Sequence, residues 1–78
     1  MANVKIKVRA TSEHPMHAVV KAGKFNLIVD EPEKIGGRGE GANPIEYLLA
    51  GLIGCINVTA YTVAKEMGIE LRRLEFEA

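Results

Sequence analysis

The sequence contains a single cysteine, Cys55, and this scarcity excludes two common ways of stabilising a small protein. No disulfide can form within the 78 residues. His14 and His17 have no nearby cysteine with which to complete a zinc pattern, so the sequence predicts neither a metal nor another cofactor. An unpaired cysteine is typical of a reducing compartment, and the N-terminus shows no apolar signal segment, so we expect a cytoplasmic protein.

The sequence also has no excess of charge of either sign. Ten basic and ten acidic residues give a formal net charge of zero, and the basic residues are dispersed along the chain. Nucleic-acid-binding surfaces are clearly basic, so we expect no nucleic-acid partner. We expect one domain over residues 1–78, too small to bury a large core alone, and this size favours oligomerisation as the source of stability.

Charged residues are absent from residues 47–64, an apolar run near the length of a membrane span. Two interpretations fit this run: a membrane helix, or a buried central helix of a globular protein. The run contains Gly51 and Gly54 and lies among amphipathic strand patterns. We therefore favour the buried helix and expect no membrane partner.

Alternating apolar and polar residues predict three strands, near residues 4–10, 17–22 and 24–31, which form an antiparallel meander. The same alternation returns near residues 72–78 and predicts a fourth, C-terminal strand. The fold class is therefore α+β. Because the alternation of apolar and polar residues continues up to Ala78, we expect further chain or a partner to complete the sheet.

A glycine-rich loop over residues 31–42 connects the meander to the helix. It contains four glycines but matches neither a phosphate-binding loop nor the dinucleotide-binding fingerprint. One interpretation is a flexible approach to the helix, in which glycine serves the backbone. The other is an active-site mouth lined by exposed amides and Arg38.

The long helix is predicted over residues 44–67. Asn43 is a good N-cap, Pro44 suits the first helical position, and Glu46 completes an arrangement like a capping box. Gly68 supplies a C-terminal cap. Small residues along the helix allow a second helix to approach closely; they are Ala50, Gly51, Gly54, Cys55 and Ala60.

These motifs resemble the OsmC/Ohr superfamily of osmotically inducible and organic-hydroperoxide-resistance proteins. The resemblance covers nearly the whole chain and is most specific from Asn43 to Cys55. It implies the N-terminal half of an OsmC-like fold, completed as an intertwined homodimer with sheets wrapped around central helices.

The resemblance also implies a thiol-dependent reduction of organic hydroperoxides with a thiol reductant. Cys55 matches the family's peroxidatic cysteine, and Glu46 lies one position later than its supporting glutamate. His14 stands at the position of the family's arginine. The resolving cysteine has no counterpart in these 78 residues.

Thiol chemistry needs a thiolate, and apolar burial disfavours that form, so a nearby cation is required. The candidates are Arg38, His14 and Arg9, from the same chain or a partner chain. The alternative function is a non-catalytic OsmC-like module that dimerises or binds a small ligand, with Cys55 as a buried apolar side chain.

Overall fold

The computed structural model describes residues 5–78, which form two compact units. The first unit ends at Pro44, and the second comprises Ile45–Ala78. The first unit contains a three-stranded antiparallel sheet, and the second is dominated by one long helix. The predicted α+β class, with its meander and single long helix, is confirmed.

The sheet consists of β1 (Val8–Thr11), β2 (Ala18–Ala22) and β3 (Phe25–Val29) in the order β1-β2-β3. Strands β2 and β3 form a hairpin with a two-residue turn at Gly23 and Lys24. Gly23 has φ 61°, which the first central residue of such a tight turn requires and which glycine adopts without strain.

Strand β1 begins later than the predicted residue 4. Val8 is paired with Ala22, the last residue of β2, and the chain then turns at Gly23. Residues 5–7 therefore extend beyond the end of β2 and are not part of the sheet. Val4, which the prediction included, lies outside the described residues.

After β3 the chain forms a short 3₁₀ helix, Glu33–Ile35, and then the glycine-rich loop. The loop returns to the sheet at Ala42, which forms an isolated parallel bridge with Val29. The N–H of Asp30 donates to the Ala42 carbonyl at 3.0 Å. This contact ties the end of the loop to the end of β3 within the first unit.

Helix α1 comprises Pro44–Glu66, so the predicted helix over residues 44–67 is confirmed. Its C-terminal cap is the predicted Gly68, with φ 72°. The Gly68 N–H donates to the Lys65 carbonyl at 3.2 Å, and the Ile69 N–H donates to the Ala64 carbonyl at 2.8 Å. This pair of hydrogen bonds is the Schellman motif, which satisfies the last carbonyls of the helix.

The expectation of a buried central helix is wrong for the single chain. Ala64 is the one buried residue on α1, and it is also the one buried apolar residue among residues 5–78. Leu48 and Val58 are 73% and 65% exposed. A helix that is apolar on every side needs cover on every side, which a chain of this size does not provide.

The predicted strand over residues 72–78 is also wrong for the single chain, because residues 69–78 contain no strand. A strand is held by hydrogen bonds to a neighbouring strand, and alternation of residue types cannot replace that neighbour. The side chains instead form local pairs. Arg72 Nε donates to Glu70 Oε1 at 3.1 Å, and Arg73 is bonded to Glu75.

Candidate functional site

Asp30 organises the glycine-rich loop. It directly follows β3, and it is fully buried. Its Oδ1 accepts the N–H of Glu31 at 2.8 Å and the N–H of Arg38 at 3.0 Å, and its Oδ2 accepts the N–H of Glu40 at 3.0 Å. A charged carboxylate forms stronger hydrogen bonds than a neutral acceptor, so this side chain fixes the path of the loop.

The hydrogen bonds at Asp30 outweigh its burial. Burial alone would raise the pKa of this carboxyl, because it disfavours the charged form. The N–H groups of Arg38, Glu40 and Glu31, together with the charge of His17, lower the pKa to about 2. Asp30 is therefore ionised throughout the physiological range.

Two glycines allow the loop to lie directly against the end of β3. A Cβ on Gly37 would lie 1.9 Å from the Glu31 carbonyl oxygen and 2.8 Å from Asp30 Oδ1. A Cβ on Gly41 would lie 2.1 Å from the Ile28 carbonyl oxygen. These distances are far shorter than any side chain permits, so both positions require glycine.

Glycine therefore serves the backbone of the loop, as the first interpretation predicted, and hydrogen bonds order this backbone so that the amides of residues 36–40 do not line an open mouth. Residues 36–40 all donate their backbone N–H groups within the loop region. The acceptors are the carbonyls of Glu31, Pro32 and Glu33 and the carboxylate of Asp30. What the loop offers to a ligand is consequently its side chains, Arg38 among them.

Two of the predicted site residues, Arg38 and His14, line the same cavity in the first unit. The cavity has a volume of about 300 Å³ and is also lined by His17 and Glu13. The two histidine rings lie edge to face with their centroids 6.4 Å apart. A guanidinium, two imidazoles and the Glu13 carboxylate around one cavity suit a strongly polar group.

His14 is arranged as a neutral imidazole. Its Nδ1 accepts the N–H of Met16 at 3.1 Å, and a nitrogen that accepts a hydrogen bond carries no proton. Arg38 is charged at every physiological pH. Of these two residues, Arg38 is therefore the stronger source of positive charge.

Cys55 is exposed on α1 in the single chain, although the sequence predicted a buried helix. Its side chain lines a largely apolar groove of about 310 Å³ with Ile56, Thr59 and Ala60. The thiol is thus accessible to a reagent, and its surroundings suit an apolar group.

Glu46 does not reach Cys55 along the helix. Glu46 lies in the first turn of α1 and is exposed. Cys55 lies nine positions after Glu46, which corresponds to about 13.5 Å along the axis and a net rotation of about half a turn around it. The two side chains therefore extend from opposite sides of the same helix.

Three residues of the first unit lie together that the sequence did not indicate as a site: Asp30 and Glu40, which no motif marked, and His17, which was set aside as a zinc ligand. His17 Nε2 lies 3.1 Å from Glu40 Oε1, and the His17 side chain is only 11% exposed. An aspartate at the end of a strand, directly before a glycine-rich loop, is a recognisable turn signal that indicates Asp30. The partners in the loop follow only from the fold.

The length and composition of α1 also meet the criterion for a membrane span. Its most apolar 18-residue window has a mean hydropathy of 1.6, and 6% of that window is buried in the single chain. Core helices of globular proteins meet the same criterion when a partner covers them, so this finding alone does not assign the helix to a membrane.

The observations so far define a small α+β protein with an accessible thiol on its long apolar helix. A family model described as OsmC-like protein matches residues 37–78, which is more than half of the chain. The chain therefore belongs to the OsmC-like protein family. Searches of curated proteins and of solved structures gave no match.

Proposed function

We propose that this protein reduces organic hydroperoxides with Cys55 as the reacting thiol. The observation that carries the proposal is the accessible Cys55 thiol beside an apolar groove, within the segment that matches the family model. Glu46 and Arg38 lie in the same matched segment, whereas His14 does not. The apolar groove favours organic hydroperoxides over hydrogen peroxide.

In the proposed reaction the Cys55 thiolate attacks the terminal oxygen of the hydroperoxide. The O–O bond breaks, an S–O bond forms, and the alkoxide leaves as the alcohol after taking a proton. Cysteine is oxidised to sulfenic acid while the hydroperoxide is reduced. A small thiol then displaces water from the sulfenic acid, and a second thiol releases Cys55 from the mixed disulfide.

We assign the activating positive charge to Arg38. A thiolate needs a nearby cation, and Arg38 carries a permanent charge on a backbone that Asp30 holds in place. His14, arranged as a neutral imidazole, contributes to the polarity of the cavity instead of to its charge.

The active form in this proposal is a homodimer. The apolar side chains of α1 are exposed on opposite sides of the helix, including Ile56 at 46% and Val58 at 65%. A second copy that packs on the helix would bury part of this surface while the groove at Cys55 stays accessible, and the burial of apolar surface is the main source of association energy. Because Glu46 and Cys55 extend from opposite sides of one helix, a Glu46 that supports the thiol must come from the second copy.

We also propose that the protein is cytoplasmic and that the second copy, not lipid, covers α1. Flotation with neutral vesicles tests whether lipid or a second copy covers α1. The protein should stay in the dense fraction as a dimer. Stable flotation that resists alkaline carbonate would instead assign α1 to the bilayer.

A non-catalytic, ligand-binding OsmC-like module is the second candidate. Its support is the single cysteine, because these 78 residues offer no second thiol to resolve a sulfenic acid. Peroxide consumption in the presence of excess dithiothreitol separates the candidates. The enzyme consumes cumene hydroperoxide catalytically, and Cys55→Ser abolishes this consumption. A rate equal to that of the Cys55→Ser variant supports the non-catalytic module.

A further inference from the structure

Three potential metal ligands from three separate segments meet in the first unit. His17 precedes β2, Asp30 follows β3, and Glu40 belongs to the glycine-rich loop. One ligand atom from each lies within 4.8 Å of the other two. We propose that His17, Asp30 and Glu40 bind a divalent transition-metal ion of the zinc type.

The spacing of one pair of these atoms is close to what zinc requires, and all three lie within 4.8 Å of one another. Zinc binds imidazole nitrogen and carboxylate oxygen at about 2.0–2.2 Å, so neighbouring ligands of a tetrahedral site lie about 3.4 Å apart. His17 Nε2 and Glu40 Oε1 are 3.1 Å apart. A small outward rotation of the exposed Glu40 side chain would bring this pair to the required separation.

Asp30 retains capacity for a metal despite its hydrogen bonds. A carboxylate has about four lone-pair positions. Among the described residues, Oδ1 accepts two backbone N–H groups and Oδ2 accepts one. One position on Oδ2 is therefore left, and the three hydrogen bonds already fix the orientation of the ligand, as the outer partners of metal sites do.

The charge balance also favours a cation at this point. Two carboxylates converge on one imidazole, and a bare imidazole nitrogen 3.1 Å from a carboxylate oxygen would be repelled. Either a proton on Nε2 or a metal ion must lie between them. A divalent ion balances both carboxylates, whereas a proton supplies a single charge.

The three side chains also leave room for water as a fourth ligand. Asp30 is buried, His17 is 11% exposed, and Glu40 is 55% exposed, so solvent reaches the cluster from the side of Glu40. A bound ion would link the glycine-rich loop to the ends of β2 and β3. It would thereby hold the loop that carries Arg38.

Zinc titration by calorimetry at neutral pH tests the proposal, with the Cys55→Ser full-length chain so that the thiol does not compete. We expect one zinc ion per chain. His17→Gln and Glu40→Gln should each weaken binding at least about tenfold. His14→Gln and Glu33→Gln, which alter a histidine and a glutamate outside the cluster, should bind as the parent does.

Circular dichroism verifies that each variant is folded. Because the Glu40 side chain is more than half exposed, Glu40→Gln should remain folded. If His17→Gln does not fold, zinc binding by Glu40→Gln alone tests the proposal. Absence of saturable binding at millimolar zinc would overturn the proposal and leave the His17–Glu40 pair as a hydrogen bond. Binding that survives in Glu40→Gln, or that is lost in His14→Gln, would also overturn it.

Discussion

Asp30 Oδ1 lies 3.0 Å from the backbone nitrogen of Arg38 and accepts its hydrogen bond. A buried carboxylate thus positions the backbone of the residue to which we assign the activating charge. The same side chain accepts the N–H of Glu40 and lies in the cluster with His17. The order of the loop and the proposed chemistry therefore depend on one residue.

Asp30 should make the stability of the protein depend on acid pH. Its pKa in the folded state is about 2, against an ordinary value of 3.8, so ionised Asp30 stabilises the fold above about pH 4. This contribution is lost as the pH falls towards 2. Asp30→Asn should be less stable than wild type at neutral pH, because an amide nitrogen cannot accept the Glu40 N–H.

Urea unfolding of both proteins over this pH range measures the effect. The stability difference between wild type and Asp30→Asn should be constant above about pH 5 and shrink between pH 4 and pH 2. A difference that does not change with pH would contradict the assignment of the low pKa to Asp30.

Gly37→Ala should destabilise the first unit. The new Cβ would lie 1.9 Å from the Glu31 carbonyl oxygen, so the backbone must shift, at a loss of about 1–3 kcal/mol in the free energy of unfolding. Arg38→Ala is the matched control, since it alters an exposed side chain and leaves the backbone hydrogen bond to Asp30 intact. Its effect should stay within about 0.5 kcal/mol. Equal stability of Gly37→Ala and wild type would refute the close packing of the loop.

Gly54→Leu should weaken self-association. Nothing lies within 4 Å of a Cβ built on Gly54 in the single chain, so leucine fits the monomer, but it would keep a second helix from approaching closely. Sedimentation should show a dimer for wild type and a larger monomer fraction for Gly54→Leu. Ile56→Leu, which conserves side-chain volume on the same helix, should remain dimeric. A folded wild-type monomer at micromolar concentration would refute the homodimer.

The sequence could predict the elements whose signals are local. Alternation identified β2 and β3, and the Asn43-Pro44 start and the Gly68 stop identified α1. The C-terminal strand could not be judged from its own residues, because a strand depends on a neighbour. The burial of α1 likewise depends on what covers it.

Part of the candidate site could likewise be predicted from the sequence, whereas the rest depends on the fold. Residue type and position made Cys55 and Arg38 candidates, His14 followed from the family resemblance, and the structure brings Arg38 and His14 to one cavity. The convergence of His17 and Glu40 joins residues 23 positions apart in sequence. It could not be predicted without the path of the glycine-rich loop.

Arg38→Ala should slow the reaction of Cys55 with organic hydroperoxide by at least about tenfold, because it removes the proposed stabilising charge of the thiolate. His14→Ala should have a smaller effect, because the His14 ring is neutral in its hydrogen bond with Met16. Stopped-flow measurement of thiol loss gives both rates. A larger effect from His14→Ala than from Arg38→Ala would reverse the assignment of the cation.

The most direct test of the account is the fate of the Cys55 thiol after one equivalent of cumene hydroperoxide. Mass spectrometry with a sulfenic-acid trapping reagent should show a single adduct at Cys55, formed faster than on free cysteine and faster than with hydrogen peroxide. Without a reducing thiol, excess hydroperoxide should carry Cys55 on to sulfinic and sulfonic acid. An unmodified Cys55, or a rate no greater than that of free cysteine, would contradict the proposed peroxide reduction and leave the protein as a non-catalytic member of its family.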